Sequence, residues 1–231
     1  MRVTVSSRTA FTLVELLAVM AIMAVLLGLA ASSLLKSQSG MEISTGAALV
    51  EGVLNQGRQI AQSNNKYTQV RFYKNTEGGT TGYRGIGLFT ASSPYYKDYD
   101  LWTKQGAFQP ADKAQFLPGG LMVVAEGSGA QFLVDLSRDK ASDGSFYRNG
   151  TSTVSGRSYE WVAFYFRPNG TTDFQSLKLD DTAAPQTYSS KLAFFTLVQQ
   201  NIYQRTQPRL PANFATFCLS PANGRFILVR P

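Results

Sequence analysis

One carboxylate lies at the start of a long apolar stretch near the amino terminus, and its position suggests a specific role. Glu15 is followed by 20 residues without charge, residues 16–35. As an α-helix these residues would cover roughly 30 Å, the thickness of a bilayer core. A carboxylate at the edge of such a segment costs about 2.5–3.5 kcal/mol if it has no partner. We therefore expect Glu15 to have a cationic partner.

The residues around Glu15 resemble the start of type IV pilins and pseudopilins. A basic leader ends at Ala10, and Phe11-Thr12-Leu13-Val14-Glu15-Leu16-Leu17 follows. In that family a dedicated peptidase cuts before the Phe on the cytoplasmic face, and the new terminus is N-methylated. The resemblance implies cleavage between Ala10 and Phe11 and methylation of Phe11. It also implies that Glu15 is the family's glutamate at the fifth position of the mature chain. Ala10 stands where the family usually has Gly, and Ala is also small.

The chemistry expected at this terminus is that of assembly. After such a cut the amino group of Phe11, with a reference pKa near 8, is largely protonated at neutral pH and lies one helical turn from Glu15. The resemblance implies that amine and carboxylate pair between neighbouring subunits and set their stagger. An apolar stripe would then pack helix on helix in the filament core: Leu13, Leu16, Leu17, Met20, Ala24 and Leu27.

Two other interpretations of the apolar stretch stay open. A secretory signal peptide also has a basic start and an apolar core, and residues 28–30 could form its small-x-small cut site. An uncleaved membrane anchor would also explain the length. The stretch is longer than a typical signal core, and neither alternative gives Glu15 a function.

The composition offers little for catalysis. The chain of 231 residues has no histidine, which removes the commonest general base and metal ligand. Its one cysteine, Cys218, has apolar neighbours and is predicted to be a buried thiol. The pair Asp180-Asp181 is interpreted as solvated rather than as a metal site. We expect no catalytic residues, no metal and no cofactor, and a membrane-anchored enzyme is the least favoured of three hypotheses.

Basic residues are concentrated towards the carboxyl terminus. No acidic residue follows Asp181, whereas five basic residues do: Lys191, Arg205, Arg209, Arg225 and Arg230. The alternative function is therefore capture of DNA or another polyanion by the four arginines. Pilins of the FimT type, which the chain resembles, are implicated in DNA uptake through a basic tail, although only Gly224-Arg225 matches that tail. A solvated basic face is the simpler interpretation.

Periodicity predicts a long helix followed by strands. Apolar and small residues recur with helical spacing at Ile43, Ala47, Val50, Leu54, Gly57 and Ala61, so a helix is expected from about residue 12 to 63, ending at Asn64-Asn65. Alternation and turn signals predict strands at 67–73, 83–90, 121–125, 131–136, 158–167, 174–179, 191–200, 216–219 and 225–229. Residues 91–114 are expected to be irregular, with a possible short helix, and residues 137–156 and 180–190 to be loops.

The predicted architecture is α+β, with a long N-terminal helix packed on an antiparallel sheet. Its parts are a leader (1–10), a transmembrane and filament-core helix (11–35), an amphipathic continuation (36–65) and a β-rich globular domain (66–231). Stretches at 57–61, 117–120, 166–170 and 223–227 occur in the order seen in minor pseudopilins of the GspH/FimT type, and the chain also resembles the Verru_Chthon cassette protein D.

The resemblance also implies partners and a location. The partners are a prepilin peptidase and methylase, other pilin-like subunits, and membrane lipid before assembly, with nucleic acid as the alternative partner. The expected location is the bacterial inner membrane, crossed once, with the globular domain outside the cytoplasm, and then a type IV pilus-like or type II secretion pseudopilus filament.

Overall fold

The computed structural model describes residues 13–77, 79–95, 108–125, 133, 149–172, 193–206, 209–220 and 222–231, with the backbone alone for residues 29–39 and 77. By its internal contacts the chain divides into two units, Met1–Met41 and Glu42–Pro231. The leader residue Ala10 and the predicted first mature residue, Phe11, lie outside the described residues.

Helix α1 runs from Leu13 to Ser63, which confirms the predicted long helix. The helix ends where the sequence predicted, because Asn65 adopts the left-handed conformation with φ of 50°. The backbone N–H of Lys66 donates to the carbonyl of Ala61 at 3.1 Å, so the ending satisfies one of the carbonyls that a helix leaves open.

The apolar side chains in the first part of α1 are exposed. Leu13, Leu17 and Leu27 are 80%, 63% and 68% exposed. Searched over the described residues alone, the chain has no helix long and apolar enough to cross a membrane.

Ten strands and a second helix follow α1 in the described part of the chain. Their bounds are β1 Thr68–Glu77, β2 Thr80–Ala91, β3 Phe108–Pro110, β4 Gln115–Phe116, β5 Leu121–Val124, β6 Asn149–Val154, β7 Arg157–Phe166, β8 Ala193–Gln199, α2 Gln200–Thr206, β9 Ala215–Leu219 and β10 Phe226–Val229. The strands form one sheet in the order β10-β9-β8-β5-β2-β1-β7-β6, and β3 and β4 also pair with β2. Every described pairing is antiparallel, so the predicted α+β class is confirmed.

The second part of α1 packs on one face of this sheet. The predicted stripe is buried, with Ile43 at 2% exposure and Ala47, Val50, Leu54 and Ala61 at 0%. These side chains share a core cluster with strand residues that include Phe72, Phe164 and Phe195. Gly57 lets the helix approach closely, because a Cβ at this position would lie 2.9 Å from Leu88 Cδ2.

Strand β2 contains a β-bulge. The register of β1 and β2 shifts between Tyr73, which faces Gly85, and Lys74, which faces Tyr83. Arg84 is therefore the extra residue. It is buried, and its guanidinium donates to the backbone carbonyl of Leu121 at 3.5 Å and to the side chain of Gln200.

Several local predictions were wrong. The expected loop at 137–156 contains strand β6, and the irregular stretch at 91–114 contains β3. Helix α2 was not predicted, and Leu133, assigned to a strand, is helical and buried. Strands β3 and β6 lack a clear period, and neighbouring strands provide their hydrogen bonds. The predicted strand at 174–179 and the loop at 180–190, with Asp180-Asp181, lie outside the described residues.

Cys218 is half-buried rather than buried, which also differs from the prediction. Strand β9 alternates between core and outer face, with Ala215, Phe217 and Leu219 buried. Cys218 therefore lies on the face turned away from the core, because side chains alternate along a strand.

Candidate functional site

Glu15 lies in the first turn of α1 and is exposed. A carboxylate at a helix amino terminus is stabilised by the helix dipole, typically by 0.3–1 kcal/mol. The predicted partner group, the amine of Phe11 after cleavage, lies outside the described residues.

The apolar stripe around Glu15 is exposed along its whole length. Exposed fractions are 59% for Leu16 and 67% for Met20, and Ala24 is exposed as well. Burying a single Leu or Met side chain contributes about 1.5–3 kcal/mol. A stripe of this kind therefore has a large driving force to associate with lipid or with other apolar helices.

The second part of α1 carries polar contacts that fix it to the sheet. The carboxylate of Glu42 accepts a hydrogen bond from Gln199 Nε2 at 2.7 Å, close to the start of α2. Glu42 and Gln199 also line a polar cleft with Gly120, Gln200 and Gln204. Gly119 and Gly120, the end of the 117–120 stretch that the sequence singled out, line this cleft.

The other three stretches singled out by the sequence meet at the end of α1. Arg58 Nε donates to the carbonyl of Gly170 at 3.4 Å. Gly224, with φ of 62°, touches the same turn, since a Cβ at Gly224 would collide with the Gly170 carbonyl oxygen and lie 3.2 Å from Phe166. Residues 57–61, 166–170 and 223–227 therefore form one junction, which fixes the β9–β10 hairpin to the helix.

The four arginines of the basic region are exposed but do not share one end of the sheet. Val229 pairs with Thr216, and Ala215 pairs with Leu197 near the end of β8. Arg230 therefore lies at the sheet end that carries α2 with Arg205, and Arg209 follows that helix. Arg225 lies at the opposite end of β10, about 17 Å from Arg230 along an extended strand. Arg230 also donates through Nη1 to Ser44 Oγ at 3.0 Å.

Sequence reasoning missed a charged group on the sheet face turned away from α1. The guanidinium of Arg71 lies 3.7 Å from the ring centroid of Phe89 and 4.1 Å from that of Trp161. Its Nε donates to Gln69 Oε1 at 2.6 Å, and Gln69 Nε2 donates to Tyr165 Oη at 3.1 Å. Burial lowers the pKa of Arg71 to about 10, so the guanidinium stays charged at neutral pH. In the sequence, the alternation of Gln69, Arg71 and Tyr73 was the signal that could have indicated this group on the face turned away from α1.

Comparison with known proteins finds a family match at the amino terminus. Residues 6–31 match the family described as the prokaryotic N-terminal methylation motif. No curated protein has a sequence that matches this chain. Among solved structures the chain is similar to the crystal structure of the type IV minor pilin FimU of Pseudomonas aeruginosa, with 12% identity over 82% of this chain and 92% of that chain and a TM-score of 0.41.

The chain is therefore pilin-like in its amino-terminal segment. The matched residues include Ala10, Phe11 and Glu15, and the start of α1. The motif identifies a segment that is methylated at its new terminus in prokaryotic proteins of this kind, in agreement with the resemblance seen in the sequence.

Proposed function

We propose that the chain is a structural subunit of a type IV pilus-like or type II secretion pseudopilus filament. The observation that carries this proposal is the methylation motif at residues 6–31, placed on a helix whose first apolar side chains are exposed. Before assembly the subunit is held in the bacterial inner membrane by one pass through this segment, with the globular domain outside the cytoplasm. It then moves from the membrane into the filament.

In this proposal the amino terminus performs the assembly chemistry. A prepilin peptidase and methylase cuts before Phe11 and methylates the new amine, which stays cationic. The amine pairs with Glu15 of a neighbouring subunit, while the stripe from Leu13 to Leu27 packs against neighbouring helices and excludes water. The low dielectric strengthens the attraction between the charges, and a subunit docked out of register would leave both unpaired.

Processing provides the direct test. Intact-mass measurement of the chain from cells with the peptidase should show a mature start at methylated Phe11. Ala10→Arg should block the cut, because the site takes a small residue, whereas Ala10→Gly should be processed at least as well as the wild type. A mature start near Ala31 would instead identify an ordinary signal peptide and contradict the proposal.

Polyanion capture by the basic region stays a prediction, supported by the exposure of all four arginines. Binding of duplex DNA to the full chain should weaken as salt is added. In a plot of log affinity against log salt concentration, each phosphate contact should contribute about −0.9 to the slope. Neutralising Arg205, Arg209, Arg225 and Arg230 together should flatten the slope by about 3 to 4. Absence of binding at low salt, or an unchanged slope, would leave these residues as a solvated surface.

A further inference from the structure

The two ends of the strand order differ in chemistry. One end is β6, with the sequence Asn-Gly-Thr-Ser-Thr-Val, and the other is β10, with Phe-Ile-Leu-Val. Natural sheets protect their edges with charges, prolines, bulges or a cover, because an open edge can pair with another chain. The polar residues of β6 suit an edge in water. Within β10 itself there is no charge, proline or bulge.

Within the part of the chain that the structure describes, the backbone of β10 has an open side. Among the described residues its only strand partner is β9. The N–H of Ser220 donates to the carbonyl of Arg225 at 2.8 Å, so that pair is hydrogen-bonded. Because such pairs alternate in an antiparallel ladder, Ile227 and Val229 also bond to β9. The N–H and C=O groups of Phe226 and Leu228 therefore point to the open side.

The side chains of β10 divide between core and outer face. Phe226 and Leu228 pack against the core cluster. Ile227 and Val229 are 65% and 46% exposed and point to the outer face, where the half-buried Cys218 is the strand partner of Ile227. An incoming strand would thus find both a backbone ladder and an apolar surface.

Charge selects between possible occupants of this edge. Arg225 and Arg230 flank β10 and are exposed, and no acidic residue occurs after Asp181. An antiparallel pairing of β10 with β10 of a second copy would bring Arg225 towards Arg230 of that copy at both ends. Like charges opposite each other on paired strands are destabilising. A strand with acidic ends would instead make an opposite-charge pair at each end.

We propose that the open edge of β10 receives an extended segment of a neighbouring filament subunit, apolar on one face and acidic at its ends, as an added strand. The proposal rests on the proposed function only in naming a filament subunit as the partner. The groups of Phe226 and Leu228 supply the backbone ladder, and Ile227 and Val229 contact the apolar face of the incoming strand. This mode of recognition combines main-chain affinity with side-chain selectivity.

The test uses the full chain in detergent and a fluorescent peptide, Glu-Thr-Val-Thr-Val-Thr-Val-Thr-Glu, with binding measured by anisotropy. The peptide should bind at least tenfold more tightly than the same peptide with Lys at both ends. N-methylation of one alternate set of its residues should abolish binding, and methylation of the other set should be tolerated. Equal binding of the two charge forms, insensitivity to both methylations, or no binding would overturn the proposal.

Matched variants locate the site. Ile227→Lys should weaken binding at least tenfold, whereas Thr151→Lys, an exposed position on β6, should leave it unchanged. Thermal unfolding of both variants checks that the fold is kept. Equal effects of the two variants would overturn the proposal. Glu15→Leu should bind the peptide like the wild type, so that a failure of assembly at the amino terminus can be told apart from a failure at this edge.

Discussion

The two parts of α1 share one helix but have opposite surroundings. Between Leu13 and Leu27 the large apolar side chains are 48–80% exposed, whereas between Ile43 and Ala61 the residues of the predicted stripe are buried. Both parts are rich in apolar residues. The second part packs against the sheet of its own domain.

This difference indicates how the molecule divides its apolar surface. The second part of the helix contributes to the stability of its own domain, because its side chains leave water when the sheet forms. The apolar side chains of the first part are exposed, so their area is available for lipid or for other apolar helices. Substitutions in the two parts should therefore affect different measurements.

Replacement of a carboxylate should produce the largest difference in filament assembly between the two parts of α1. Glu15→Leu removes the partner of the terminal amine, and loss of one member of a buried pair typically costs about 3–5 kcal/mol. Incorporation into sheared filaments should fall strongly, while membrane insertion is kept because the segment becomes more apolar. Glu51→Leu, an exposed carboxylate in the second part, is the control and should assemble normally. Normal assembly of Glu15→Leu would contradict the amine–carboxylate pairing.

Leucine substitutions should give the opposite pattern. Leu54→Ala empties a fully buried position and should lower the free energy of unfolding of the domain by about 2–5 kcal/mol. Leu17→Ala, at a position 63% exposed, should change it by less than about 0.5 kcal/mol but weaken filament packing. Thermal or denaturant unfolding measures the first effect, and filament yield measures the second. Equal loss of domain stability in both variants would remove the distinction between the two parts.

Two glycines sharpen the comparison within the second part. Gly52→Ala meets open space and should stabilise the helix by roughly 0.5–1 kcal/mol. Gly57→Ala places a Cβ 2.9 Å from Leu88 Cδ2 and 3.5 Å from Phe166 Cδ2. Both neighbours are buried, so overpacking should cost about 1–3 kcal/mol before the helix gain is subtracted. Melting temperatures that move in the same direction would contradict the close packing at Gly57.

The smallest effect concerns the sheet face away from α1. Burial raises the pKa of the Cys218 thiol. Because the thiolate reacts, iodoacetamide should modify Cys218 in the folded chain, but more slowly at pH 8 than free cysteine, with a rate that keeps rising at higher pH. Since the folded pKa is raised, the contribution of this thiol to stability is complete below the unfolded pKa and is lost as pH rises through the folded pKa. Reaction only after unfolding would show that Cys218 is buried like the stripe of α1.

The sequence predicted the elements that carry a clear period. The spacing from Ile43 to Ala61 gave the helix face, and the alternation before Phe166 gave β7. Strand β6 was missed because its small polar residues also suit a loop, and it is a strand because β7 provides its ladder of hydrogen bonds. Arg71 was missed as a cation packed against aromatic rings, since the rings of Phe89 and Trp161 come from other strands.

At the amino terminus the sequence by itself determined the candidate chemistry. Ala10, Phe11, Glu15 and the uncharged run after Glu15 lie within one short stretch of the chain, so the motif is visible without a tertiary structure. The tertiary structure decided which apolar residues the chain covers for itself. It also decided that Gly170 and Gly224 meet and that β10 is an edge of the described sheet. These relations depend on strand order, which is set by contacts between residues far apart in the sequence.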